Sequence, residues 1–161
     1  MWYTEPGGAA QAAVHAIKYR FSPALADWAG GIAGNLIPPE ERFDAIVPLP
    51  LHRIRRLERG FNQSEQIARG ASEVSRIPVL GVLARTSARI SQTRLSAVSR
   101  RELAKGTFLL EQPVQGKRLL LVDDVITTGS TLNSAARVLL AAGALDVCGV
   151  TLAVSRRPGS P

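Results

Sequence analysis

The run Leu119-Leu120-Leu121-Val122-Asp123-Asp124-Val125-Ile126-Thr127-Thr128-Gly129-Ser130-Thr131 passes from an apolar stretch through two acids into a turn of small hydroxyl residues. A helical pattern follows, so the turn opens a helix whose first amides have no intrahelical acceptor. Those amides point toward one place and carry the positive end of the helix dipole, which makes the turn a cup for a phosphate. Gly129 lets the backbone approach an oxygen closely, and Thr127, Thr128, Ser130 and Thr131 add hydroxyl donors without adding charge. At about 1.5 to 3 kcal/mol per charge-assisted hydrogen bond, roughly three or four of them hold a phosphate dianion without lysine. Asp123 and Asp124 stand just before the cup, where carboxylates accept from sugar hydroxyls or hold magnesium through its waters. Uncompensated burial of charge is costly, so this pair is expected to face water or a ligand. Taken singly, the acids also fit a strand that ends in solvent, and the hydroxyl residues fit a plain helix cap. A Walker loop is excluded, because Gly116-Lys117 precedes the strand and Arg118 stands where Ser or Thr is required.

Charge points to the same kind of ligand. The formal net charge is +7, and residues 44–101 hold eleven arginines and no lysine against four acids. Planar guanidinium groups suit bidentate phosphate recognition, so a polyanion, large or small, is the expected partner; solvated helix faces are the plainer alternative. Arg85, Arg89 and Arg94 fall in or beside a stretch from residue 85 to 105 that lacks sustained periodicity, and loops of that length are usually functional or disordered. His15 and His52 have no matching ligands for a metal, although His52 has a loop position from which it can contact phosphate. The single cysteine, Cys148, excludes an internal disulfide framework and a multi-cysteine zinc site; its apolar neighbours suggest a small buried residue.

These residues need a frame. A chain of 161 residues is the size of one domain, with 45% hydrophobic and 20% charged residues. No apolar run approaches the roughly 18 residues of a membrane span, and the N-terminus lacks a secretory pattern, so a cytoplasmic location without membrane partners is expected. Helices are expected over residues 8–21, 24–37, 64–75 and 130–142, the last with Gly143 as its left-handed cap. Strands are expected over residues 45–47, 79–83, 107–110, 118–122 and 146–154, with a turn over 113–117 and a frayed tail from 156. The alternation implies a mainly parallel sheet flanked by helices, whose ligands bind beyond the carboxyl ends of the strands. Two loops lie there, 48–60 and 123–130. Within residues 59–64, Asn62 or Ser64 can cap the next helix with Phe61 as a staple; alternatively Gly60 frees a turn while Arg59 and Gln63 reach a ligand.

The segment from Val122 to Thr131 resembles the signature of type I phosphoribosyltransferases. More narrowly, the chain resembles the ComF-like (competence protein F) family. That likeness rests on Ile46-Val47-Pro48-Leu49-Pro50-Leu51-His52-Arg53, on Arg59-Gly60-Phe61-Asn62-Gln63-Ser64, on Arg85 and Gln92, on Arg100-Arg101 with Gly106 and Phe108, and on Ile17-Lys18-Tyr19. The resemblance implies a type I phosphoribosyltransferase-like α/β fold, Rossmann-like, as one domain over residues 1–161 with N-terminal helices in 1–43 and a core in 44–155. It implies that Asp123 and Asp124 bind ribose hydroxyls, and Mg2+ through water, while Val125, Thr127, Thr128, Gly129, Ser130 and Thr131 cradle the 5-phosphate. Leu49, Pro50, Leu51, His52 and Arg53 match the loop that faces pyrophosphate, and residues 86–100 match a mobile loop that closes over the site; Arg85, Arg89 and Arg94 are candidates for its chemistry by position. Two departures stand out. The family often begins with a cysteine-rich zinc ribbon, which this sequence lacks, and its usual Arg-x-x-Asn is Arg100-Arg101-Glu102-Leu103 here.

Three functions follow from the resemblance. One is transfer of phosphoribosyl from 5-phosphoribosyl-1-pyrophosphate (PRPP) with magnesium to an acceptor the sequence does not reveal. Another is a competence role, with the basic segment holding single-stranded DNA and partnering a helicase. Against strong strand binding stands the scarcity of aromatic stacking platforms, since Phe61 is alone within the basic segment. The third is a sensor that binds PRPP without turnover. No pattern in the sequence addresses the oligomeric state.

Overall fold

The computed structural model describes residues 2–4, 22–85 and 108–155, and of residues 2–4, 53 and 155 the backbone alone. The expected helix over 8–21 with Ile17-Lys18-Tyr19, the loop over 86–100 with Arg89, Gln92 and Arg94, the Arg100-Arg101 word with Gly106, and the tail from 156 lie outside the described residues.

Strand β5 (Arg118–Ile126) is the centre of the sheet, and its Leu119, Leu120, Leu121 and Val122 are all buried. Burial on both faces requires a strand on each side and helices above and below. Strand β2 (Ala45–Pro48) pairs parallel along one side, from Ala45 opposite Leu119 to Pro48 opposite Val122. Strand β6 (Asp146–Ser155) pairs parallel along the other, from Asp146 opposite Arg118 to Val154 opposite Ile126. Strand β1 (Trp2–Thr4) runs parallel to residues 153–155 of β6, giving the order β1-β6-β5-β2. Asp44 sets the starting register, since its Oδ2 accepts from the Arg118 amide at 2.7 Å while its own amide donates to the Arg118 carbonyl at 2.8 Å. A separate antiparallel pair joins β3 (Leu83–Arg85) to β4 (Phe108–Leu110).

The helices are α1 (Pro23–Asn35), α2 (Arg53–Arg59), α3 (Gln63–Ser75) and α4 (Ser130–Ala141). On one face of the sheet, Ala135, Val138 and Leu139 of α4 pack with Val47, Leu119, Leu121, Val82 and Phe108. On the other, α1 and α3 bury small residues with Ile67 against Ile46, Leu120, Val122 and Leu152. The chain leaves β2 through α3 on one face and then runs beside the outer edge of β2, where Val79 forms a parallel bridge to Ile46. It leaves β5 through α4 on the opposite face toward β6. The carboxyl ends of β2 and β5 therefore form the point where the crossovers diverge, the usual position of a ligand crevice.

Four expectations need correcting. β5 does not end before the acids but continues to Ile126, because β6 is long enough to keep pairing with it after β2 has stopped. The loop over 48–60 contains α2, which was not legible because its Ile54 and Leu57 are 60% and 77% exposed and leave no buried face to read. Residues 1–43, expected to supply helices, also supply the strand Trp2–Thr4, which is too short to carry a period. The strand expected over 79–83 is only a bridge at Val79, followed by β3 beyond the exposed Gly81. Gly143, with φ 88°, caps α4 as expected.

The glycines of α1 are contact surface. A Cβ on Gly30 would overlap the Ile67 carbonyl, one on Gly34 would lie 2.7 Å from the Ala71 carbonyl, and one on Gly70 of α3 would overlap the Asp27 carbonyl. The two helix backbones touch directly. Gly70→Ala is expected to destabilise the fold by about 1–3 kcal/mol through overpacking. Gly81→Ala, with nothing within 4 Å of the added methyl, should stay within about 0.5 kcal/mol of wild type in urea denaturation.

Candidate functional site

β5 outruns β2 by the stretch from Asp123 to Ile126, so beyond Val122 the side of β5 that faced β2 is uncovered. The loop after β2 bends away at that point, with the Leu49 amide donating to the Val122 carbonyl at 3.0 Å. The space left is a cleft of about 170 Å³ lined by Leu49, Pro50, Leu51, Arg55, Arg59, Asn62, Gln63, Ser64, Arg85, Asp123, Asp124 and Thr131. Two aspartates and three arginines thus line one small cavity at the carboxyl edge of the sheet.

The N-terminus of α3 holds the walls together. Asn62 is its N-cap; Oδ1 accepts from the Ser64 amide at 3.2 Å, and Nδ2 donates to the Leu49 carbonyl at 3.0 Å. Leu49 is therefore fixed at both its amide and its carbonyl. The Ser64 hydroxyl donates to Asp123 Oδ1 at 3.2 Å, and the same oxygen accepts from the Asp124 amide at 2.9 Å. These bonds tie the loop after β2, the start of α3 and the acid pair into one rigid unit. Gly60 makes the preceding turn possible at φ 71°, its amide donating to the Arg56 carbonyl at 2.9 Å as α2 ends. Arg56 of α2 and Glu65 of α3 add an exposed ion pair at 3.5 Å, worth at most about 1 kcal/mol. Arg85 lies with its guanidinium carbon 5.6 Å from the centre of the Phe108 ring, so a buried aromatic ring orients one of the cleft cations.

The turn at the end of β5 has the anticipated form. Gly129 adopts φ 74° at the N-cap of α4 and makes no side-chain cap, which leaves the capping to the hydroxyls around it. Thr128 Oγ1 lies 2.9 Å from Ser130 Oγ and accepts from the Ser130 amide at 3.4 Å. Thr127, Thr128 and Ser130 are exposed, and Thr131 reaches into the cleft.

The structure brings Leu49, Pro50, Leu51, Arg59, Asn62, Gln63, Arg85, Asp123, Asp124 and Thr131 together. Val125, Thr127, Thr128, Gly129 and Ser130 lie outside the cleft lining, and so do His52, Gly60 and Phe61. His52 instead caps α2, its Nδ1 accepting from the Ile54 amide at 3.4 Å. Arg55 was not anticipated. It stands one helical turn before Arg59, a spacing that would have paired the two had the segment been read as helix. Ser64 was anticipated as a cap, and its contact with Asp123 crosses 59 residues of sequence without a local signal. Cys148, expected to be buried, is only half-buried, and desolvation, then Asp146 and Glu41, push its thiol pKa up. Among the described residues no group of three or more His, Cys, Asp or Glu is placed to hold a metal, and no helix is long and apolar enough to cross a membrane. The acid pair fits magnesium only as that ion is usually held, by one or two carboxylates with waters and substrate oxygens completing the shell.

Residues 43–160 match the family model described as phosphoribosyl transferase domain. The chain is 42% identical over 105 residues to the DNA utilization protein YhgH of Escherichia coli K12, covering 65% of this chain and 46% of that protein. It is 37% identical over 108 residues to competence protein F of Haemophilus influenzae, covering 65% and 47%. The chain spans about half the length of the curated relatives it matches. In fold it is similar to the glutamine phosphoribosylpyrophosphate amidotransferase of B. subtilis, with a TM-score of 0.57 and 21% identity over 82% of this chain and 26% of that one.

Asn62→Ala removes a cap and leaves the Leu49 carbonyl without its donor, so it should cost about 1–3 kcal/mol in urea denaturation. Ser64→Ala, which deletes a single part-buried hydrogen bond, should cost about 0.5–1.5 kcal/mol.

Proposed function

We propose, on the premise that this chain belongs to the phosphoribosyl transferase domain family, that its cleft binds 5-phosphoribosyl-1-pyrophosphate with magnesium and transfers the phosphoribosyl group to an acceptor. The observation that carries this reading is the shared cleft itself, lined by Asp123 and Asp124 together with Arg55, Arg59 and Arg85 at the carboxyl ends of β2 and β5. A ligand suited to it has a hydroxylated end that donates to carboxylates and an anionic end that accepts from guanidinium groups. A ribose bearing pyrophosphate at C1 has both, and its 5-phosphate suits the Thr127 to Thr131 turn at the start of α4.

On this reading, Asp123 and Asp124 accept from the ribose hydroxyls and hold magnesium through its waters. Bound magnesium supplies neutralisation of pyrophosphate charge. Ser64 keeps Asp123 in place, and the clamped Leu49 loop lines the leaving-group end. The C1–O bond breaks with its electron pair going to pyrophosphate, a lone pair of the acceptor forms the new bond at C1, and the acceptor gives up a proton. Charge grows on the leaving group as the bond breaks, so arginines fixed around it stabilise the transition state more than the ground state. We place this activity in the cytoplasm and leave the acceptor open.

A second reading is favoured by two other observations. The relatives include a DNA utilization protein and a competence protein, and α2 presents Arg56, which is not part of the cleft lining, to solvent. An arginine-bearing helix of this kind suits the phosphates of single-stranded DNA, with a helicase as the partner of the whole protein. The domain then couples a sugar-pyrophosphate site to DNA use, with or without turnover.

Calorimetry with PRPP and magnesium separates these readings from a fold-only likeness. Wild type should bind, and Asp123→Asn/Asp124→Asn should lose at least about a hundredfold in affinity, together with any magnesium-dependent release of pyrophosphate. Equal binding by the double variant defeats the sugar reading. Single-stranded DNA affinity, measured by fluorescence anisotropy, should fall steeply with salt and survive the double substitution, because its contacts are arginines elsewhere. Absent or salt-independent binding defeats the DNA reading.

A further inference from the structure

α3 opens with three buried polar residues, Asn62 at 3%, Gln63 at 2% and Ser64 at 4% exposure. Two of them have assigned work: Asn62 caps the helix and holds Leu49, and Ser64 holds Asp123. Gln63 differs. Its Nε2 is buried and donates to no acceptor among the described residues. A buried amide donor without an acceptor is disfavoured in folded proteins, and an acceptor that arrives with a ligand is one way in which such a donor is satisfied.

Three features define what that acceptor is. Gln63 is the first residue of a 13-residue helix, so it stands at the positive end of the α3 dipole. It lines the cleft together with Arg55, Arg59 and Arg85. It also adjoins Ser64, whose hydroxyl reaches Asp123, and so belongs to the wall built by the start of α3 and not to the turn that opens α4. A helix start, three guanidinium groups and an N–H donor make this wall an oxyanion subsite, separate from the one at Gly129. The terminal torsion of a glutamine is soft, so Nε2 can meet a ligand oxygen without movement of the helix.

We infer that Gln63 is a ligand-contacting residue, its Nε2 donating to an oxygen of the pyrophosphate end of the sugar substrate. This rests on the sugar-pyrophosphate reading above and deepens it by assigning Gln63 to the leaving group instead of the acceptor. A carboxamide suits this role because it donates without adding a fourth cation, so the released pyrophosphate is not trapped.

The test compares Gln63→Met and Gln63→Glu with wild type by calorimetry against three probes in magnesium: PRPP, inorganic pyrophosphate and ribose 5-phosphate. Unliganded melting temperatures are recorded alongside. Gln63→Met keeps the length and removes the unpaired donor, so it should melt at or above wild type. It should lose about tenfold to a hundredfold in affinity for PRPP and pyrophosphate and keep ribose 5-phosphate within about twofold. Gln63→Glu, which turns a carboxylate toward the oxyanion, should lose more than Gln63→Met with the same two probes. Unchanged pyrophosphate and PRPP affinity in both variants overturns the inference, and so does an equal loss for all three probes, which would signal a collapsed site. If wild type binds pyrophosphate but not PRPP, the sugar reading fails alone, and the loss of pyrophosphate in Gln63→Met still decides the subsite.

Discussion

The parallel pairing of β5 with two neighbours of unequal length is the constraint on which the rest of this structure depends. From Leu119 to Val122 the strand is paired on both sides and buried; from Asp123 onward it is held by β6 alone. A carboxylate within the fully paired stretch would be enclosed by helices on both faces at a cost of several kcal/mol. One residue later the same strand offers a rigid backbone with an open side. The acids therefore occupy the earliest positions at which the sheet tolerates them, and they inherit the rigidity of the core without its dielectric penalty.

Rigidity at the open edge is supplied by the start of α3, and this links core packing to site geometry. α3 lies close to α1 because Gly30, Gly34 and Gly70 let the helix backbones touch. That contact sets the height of α3 over the sheet, and with it the positions of Asn62 and Ser64 relative to Leu49 and Asp123. A displacement of the helix by the width of one methyl group would lengthen both hydrogen bonds, at 3.0 and 3.2 Å, beyond useful range. Glycines that weaken α1 as an isolated helix thus serve to fix a carboxylate well removed from them in sequence. Local propensity and tertiary need conflict at these positions, and tertiary need prevails.

Legibility from sequence follows the range of each interaction. The strand, acid pair, turn and helix from Leu119 to Ala141 were readable because apolar run, turn residues and helical spacing all lie within one continuous segment. The parallel sheet and the two loops at its carboxyl edge followed from element order alone. The Ser64 to Asp123 and Asn62 to Leu49 contacts were not readable, since each joins residues that are separate in sequence and carries no periodic mark. α2 and β1 escaped for a different reason: one has no buried face and the other has three residues. Arg55 was lost with α2, because the pairing of positions one turn apart has meaning only once a helix is recognised. Gln63 stood in a recognised word, but its unpartnered amide became visible only once burial was known.

The acid pair also bears on how the two proposed ligands divide the surface. Sugar pyrophosphate and single-stranded DNA both present phosphate oxygens to arginine, so guanidinium groups alone do not discriminate between them. Carboxylates do. A ribose with two adjacent hydroxyls donates to Asp123 and Asp124, whereas deoxyribose lacks the 2′-hydroxyl and a DNA strand brings further negative charge toward them. Within a cleft of about 170 Å³ that repulsion acts at short range, while on the exposed side of α2 it is screened by solvent. On the proposed reading the two ligands are thus separated by the same two aspartates, which favour a small diol-bearing anion in the cleft and leave a strand to the outer arginines.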